Sequence, residues 1–394
     1  MINRKMRELG AKRSVIRELF EYGKKRKAEI GEKNVYDFSL GNPSVPAPTE
    51  VNEAIVRLVN EENSVALHGY TSAQGDAAVR AAIANYINET YGESITADCL
   101  YMSVGAAAAL TSSLTALVSP GEEVIVPAPY FPEYKVFIER CGGVVREVLC
   151  DEALQLDISA IEAAINEKTA AIIINSPNNP TGAVYSEENI KSLCNMLRLC
   201  EKKYSHPIYL ISDEPYRELV YDGVKVPYLT KYYDDTLVCY SFSKSLSIPG
   251  ERIGYVLVCP RCADFTAVYQ AVCGAARALG YVCAPSLLQK LLPYCLGKTS
   301  DISVYDRNRR LLLEKLTEYG FDMIRPDGAF YLFIKSPSGD AGEFCERAKE
   351  YEILIVPSDD FGCPGYARLA YCVTTEQIEK ALPAFEKLAK SYKE

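Results

Sequence analysis

The chain has 394 residues, of which 48% are apolar and 24% charged, and a net charge of −9. The composition is that of an ordinary globular protein, and the length exceeds what one core holds, so two domains are expected. The acidic balance leaves no basic face for a nucleic-acid backbone, and no apolar run approaches the ~20 residues of a membrane span, so neither partner is expected. The first seven residues are basic, but no apolar stretch follows them as in a signal peptide. Fourteen cysteines without secretory targeting fit free thiols in a reducing, cytoplasmic setting. The lone pair Cys259 and Cys262 has no second C-x-x-C or nearby histidine, and reads as two thiols at a strand end rather than half a metal site. No metal is expected. Only His68 and His206 are present, which weakens any histidine-based nucleophilic mechanism.

In chain order, residues 11–32 carry Val15, Ile16, Leu19 and Phe20 at helical spacing among basic residues, which predicts an amphipathic surface helix. Residues 41–48 are rich in proline and form an extended connector. From about Cys99 to Cys259, short apolar runs alternate with helical patterns. The runs are 100–104, 124–126, 144–149, 170–174, 208–212, 236–240 and 253–258. Continuous apolar strands separated by helices predict an α/β fold whose mostly parallel sheet is covered on both faces. Further on come a Leu-rich helix over 301–319, two short strands over 329–334 and 367–373, and a helix over 375–392. These predict a smaller α+β domain completed by the N-terminal segment.

Ligands bind at the carboxyl ends of strands in open α/β sheets, so the residues found there carry the functional reading. Lys244 ends the strand 236–240 in the run Ser241-Phe242-Ser243-Lys244, with Arg252 eight residues on. A lysine among hydroxyls with an arginine at that spacing is the layout a pyridoxal phosphate enzyme needs. The amine forms a Schiff base with the cofactor aldehyde, and the hydroxyls and guanidinium receive the phosphate. Taken alone, the motif could be a solvated turn. Asn179 follows the strand 170–174 in a turn-forming run, where an Asn could donate to a ligand oxygen. Asp213 emerges from the strand 208–212, and an acid there needs a cationic partner such as a protonated pyridine nitrogen. Tyr216 could reach the cofactor's phenolic oxygen. Gly105, Ala106 and Ala107 open a helix directly after a strand, where small residues let a phosphate approach backbone N–H groups.

Several ordered motifs then stand together: Tyr70-x4-Gly75-x4-Arg80, Pro127-x-Pro129-Tyr130-Phe131, Asn179-Pro180-Thr181-Gly182, Asp213-Glu214-x-Tyr216, Ser241-x-Ser243-Lys244 with Arg252, Pro326-x-Gly328-Ala329-Phe330-Tyr331, and Arg368. With them the chain resembles the fold-type I, class I/II aminotransferase family (aspartate aminotransferase-like) from about Asp37 to the C-terminus. The resemblance implies a large cofactor domain over 50–285 and a small domain from 1–49 and 286–394. It implies pyridoxal 5′-phosphate as cofactor and Lys244 as its Schiff-base lysine and the shuttling base. Asp213 would pair with the ring nitrogen, Asn179 and Tyr216 would contact the phenolic oxygen, and Phe131 would stack on the ring. Ser241, Ser243, Arg252 and the amides of Ala106 and Ala107 would bind phosphate. Tyr70 would reach it from a neighbouring subunit, so a homodimer is implied. Arg368 would grip the substrate α-carboxylate, with Gly41 in backbone contact. The expected activity is ping-pong transfer of an amino group between an L-amino acid and a 2-oxo acid. Alternatives are a β C–S lyase or an amino acid decarboxylase on the same scaffold, or a cofactor-binding regulatory module. Dicarboxylate-specific relatives use a second arginine where this chain has Leu279, with Arg277 two residues away. That favours a neutral or aromatic substrate over aspartate.

Overall fold

A computed structural model describes residues 2–11 and 15–393. Its centre is a seven-stranded sheet. Across the sheet the strands run Leu100–Ser103, Gly254–Val258, Thr236–Ser241, Tyr209–Glu214, Thr169–Asn175, Glu123–Ala128 and Val144–Leu149. Pairing is parallel from Thr236–Ser241 to Val144–Leu149. Gly254–Val258 alone opposes both of its neighbours.

Side-chain alternation along these strands divides the core. Ala171, Ile173, Ile211, Leu237 and Cys239 face one side, where they meet helices Ala106–Leu117 and Phe265–Leu279. Ile172, Ile174 and Leu210 face the other side, against helix Glu187–Tyr204. Successive strand residues point to opposite faces, so an unbroken apolar run is what a sheet covered twice requires. Val144–Leu149 departs from that expectation. It is an edge strand with exposed Val144 and Leu149, and is not buried on both faces.

The smaller lobe contains more strands than sequence patterning predicts. Its four-stranded antiparallel sheet runs Val356–Pro357, Tyr366–Ala370, Tyr331–Lys335 and Met323–Ile324. A separate parallel pair joins Tyr36–Asp37 to Ile353–Leu354. The two-residue strands are too short to show a period, which is why they leave no trace in the sequence. Helices Ile302–Tyr319, Ala341–Lys349 and Thr375–Lys390 complete this lobe. The predicted N-terminal helix is Val15–Ile30, preceded by Arg4–Ala11; residues 12–14 of the expected span lie outside the described residues.

Helix Ser286–Cys295 packs against Thr49–Glu61. It buries Leu288, Leu291 and Leu292 with Val238 and Leu257 of the large sheet. Helix Ser286–Cys295 thus shares a core with the large sheet. In the opposite direction, Tyr216, Leu219 and Tyr221 leave the large sheet and enter the small lobe's core with Phe330 and Tyr331. The cleft lies where these two lobes meet.

Candidate active site

The carboxyl ends of three central strands open into a cleft lined by Lys244, Asp213, Asn179, Ser241, Ser243, Arg252, Phe131, Tyr216, Ala106, Ala107, Gly41 and Arg368. All the singled-out residues except Tyr70 are thus brought together. The Tyr70 side chain is 98% exposed on this chain and does not line the cleft.

Lys244 sits in the single helical turn Phe242–Ser245. Its Nζ donates to the Gly41 carbonyl at 2.6 Å. Burial pulls its pKa down to about 8, with Arg252 and Arg368 adding to the effect. The glycine at 41 is required, because a Cβ there would stand 2.1 Å from the Tyr331 hydroxyl.

Asp213 projects to the same face as Ile211. Its Oδ2 accepts a hydrogen bond from Tyr134 at 2.5 Å. Its Oδ1 is buried with no hydrogen-bond partner among the described residues. Burial raises its pKa to about 7, against the pull of the Tyr134 hydrogen bond. A buried acceptor without a donor is costly unless a ligand supplies one. Asn175 holds the strand end by donating to the Asp213 carbonyl at 2.9 Å and accepting from the Asn179 amide at 2.7 Å.

Arg368 lies on the small-lobe strand Tyr366–Ala370 and is only 2% exposed. Its Nη1 donates to Asn179 Oδ1 at 3.1 Å and its Nη2 to the Ser39 carbonyl at 2.6 Å. Its Nε is buried without a partner among the described residues. The Tyr216 hydroxyl meets that of Tyr331 at 2.8 Å. One polar chain thus runs from the large-lobe strand ends into the small lobe.

On the other side, Ser241 Oγ donates to Ser243 Oγ at 2.7 Å, and Arg252 Nη1 lies 3.4 Å from Ser243 Oγ. Arg252 adopts the left-handed region, with φ 53°. Gly105 has φ 86°, and a Cβ on it would come within 2.8 Å of the Arg252 guanidinium. The start of helix Ala106–Leu117 therefore abuts the Arg252 guanidinium, and Ser241 and Ser243 line the same cleft.

Sequence reasoning missed Tyr134, Asn175 and Ser39. Their partners lie 79, 38 and 329 residues away, so no local spacing signals them. Ile16 and Leu40 add apolar lining from the N-terminal segment. Arg277 and Leu279 end helix Phe265–Leu279, and neither lines this chain's cleft.

Fold and cleft together define an α/β enzyme whose cleft brings a buried amine together with two arginines. The chain belongs to the aminotransferase class I and II family, whose sequence pattern matches residues 33–385. It is similar to the aspartate aminotransferase of Thermotoga maritima, at 32% identity over 98% of this chain and 98% of the relative. It is also similar to the aspartate/prephenate aminotransferase of Thermus thermophilus, at 30% identity over 89% of this chain and 90% of the relative. Among solved structures, an amino transferase from Eubacterium rectale matches with a TM-score of 0.98 and 57% identity, covering 100% of both chains. The structure of the Thermotoga maritima aspartate aminotransferase matches with a TM-score of 0.86 and 31% identity, covering 98% of this chain and 99% of that one. The chain is a transaminase, acting between an amino acid and a 2-oxo acid. These relatives do not favour a lyase, a decarboxylase or a regulatory module. Among the described residues, no helix is long and apolar enough to cross a membrane.

Proposed function

We propose that the cleft binds pyridoxal 5′-phosphate and carries out ping-pong transamination, in a cytoplasmic homodimer. The observation that carries this reading is the Asp213 carboxyl, buried at a strand end with Oδ1 unpartnered. A protonated ring nitrogen is the cationic donor this oxygen lacks. The cradle of Ser241, Ser243, Arg252 and the Ala106 and Ala107 amides fits a phosphate dianion. Phe131 would cover the ring, Asn179 and Tyr216 would contact its phenolic oxygen, and Tyr70 would complete the phosphate site of a second copy.

Bound there, the cofactor supplies an electron sink for the carbon that loses a proton. Arg368 receives the substrate α-carboxylate, for which its unpartnered Nε is available. With a pKa near 8, the Lys244 amine has a substantial neutral fraction at physiological pH. Its Nζ takes the proton from the substrate Cα and later returns one. Gly41 and Asn179 orient the donor and the guanidinium about that carbon.

The test is the visible spectrum of the purified protein loaded with cofactor, before and after single amino acids are added. Bleaching of the yellow band by an amino acid and its restoration by a 2-oxo acid would support the reading. A band that persists while pyruvate and ammonia accumulate would indicate a lyase. No band after incubation with pyridoxal phosphate would overturn the role of Lys244.

A further inference from the structure

We infer that Glu133 sets the charge preference for the substrate's side chain, so that the cleft favours amino acids ending in a cationic or amide N–H group over those ending in a carboxylate. The inference rests on the site assignments above. Of the charged residues lining the cleft, Lys244, Arg252, Arg368 and Asp213 already have roles, which leaves Glu133. Its side chain has no hydrogen bond or ion pair among the described residues. Among the described residues, no further cation lines the cleft to receive a second substrate carboxylate.

The position of Glu133 is fixed by its neighbours. The Tyr134 amide donates to the Phe131 carbonyl at 3.1 Å, and the two rings meet edge to face with centroids 5.7 Å apart. Tyr134 is tied in turn to Asp213. Glu133 is therefore held on a short turn between two residues of the site. Ile16 and Leu40 give the same cleft apolar lining. An apolar stem with a donor at its tip suits such a cleft. A side-chain carboxylate would meet an unpaired anion there, which discriminates against it.

Glu133 also lies in the first turn of helix Glu133–Arg140, where a negative charge suits the helix end. A purely structural role would change the melting temperature without changing charge selectivity. The experiment therefore measures kcat/KM of the cofactor-loaded enzyme for glutamate, glutamine and ornithine, in the wild type, Glu133→Gln and Glu133→Asp. Binding of unreactive succinate is followed by the shift of the cofactor band. For Glu133→Gln the expected result is a rise of about tenfold in the glutamate-to-ornithine ratio, expressed mainly through KM, with tighter succinate binding. Glu133→Asp should keep the wild-type order. A ratio that moves less than about twofold in Glu133→Gln overturns the inference, whatever happens to the melting temperature. If amino acids convert the cofactor and the ratio stays still, only this inference falls. If no amino acid converts it, the transamination reading fails and the inference fails with it.

Discussion

Asp213 and Glu214 are consecutive acids at the end of one strand, and they face opposite sides of the sheet. Glu214 is fully satisfied. Its Oε1 accepts from Ser212 at 2.7 Å and its Oε2 from Arg217 Nε at 2.5 Å. Arg217 in turn donates to the carbonyls of Val226 and Pro227 and lies beside the stacked rings of Tyr91 and Tyr228. Asp213 has one partner, Tyr134, and one bare oxygen. The same chemical group has its hydrogen bonds completed on one face of the sheet and left incomplete on the other. A buried acceptor kept bare, as at Asp213, costs stability that a ligand can restore.

Substitutions on the two faces should separate chemistry from folding. The largest effect is expected at Lys244, since Lys244→Ala should lower turnover by roughly 10⁴ or more while cofactor still binds noncovalently. Single-turnover kinetics with and without an added amine would check this, and near-normal turnover would remove Lys244 from its role. Asp213→Asn should cost about 10² to 10³ in turnover and stabilise the cofactor-free protein.

The pH dependence of that stability gives the comparison its sign. The folded-state pKa of Asp213 is raised to about 7 from the ordinary 3.8. The folded protein holds this proton between those values while the unfolded chain has lost it. Stability of the cofactor-free protein should therefore fall as pH rises from about 4 to about 7, and Asp213→Asn should flatten that slope. Urea unfolding across this window tests it; a slope unchanged in the variant would show that Asp213 is not the group responsible.

On the opposite face, Arg217→Met should destabilise the fold by about 3–5 kcal/mol by leaving Glu214 buried and unpaired. The fraction that remains folded should keep its cofactor spectrum. Loss of the spectrum at full foldedness would break the contrast between the faces. The smallest effect belongs to Tyr134→Phe. It removes the one hydrogen bond that lowers the Asp213 pKa. The acidic limb of the pH–rate profile should move upward, with a change in rate of less than about tenfold.

The strand ends were legible because a buried strand leaves a continuous apolar mark and its first polar residue is conspicuous. Lys244, Asp213 and Asn179 were found that way. Arg368, Phe131 and Gly41 came only from their resemblance to a family pattern, since an arginine in a short strand has no local peculiarity. The two-residue strands of the small lobe were not legible, because tertiary packing decides them.

By itself, the sequence determined the alternation of strand and helix, the covered sheet and the acids, amine and hydroxyls at its carboxyl edge. These follow from short-range periodicity and from the cost of burying polar groups. Only the tertiary structure decided which of those groups stay unpaired. Lys244 reaches Gly41 across 203 residues, and Arg368 reaches Asn179 across 189. Such contacts depend on how two lobes close on each other. That closure is fixed by the packing of Tyr216, Leu219 and Tyr221 into the small lobe's core, not by the spacing of any motif.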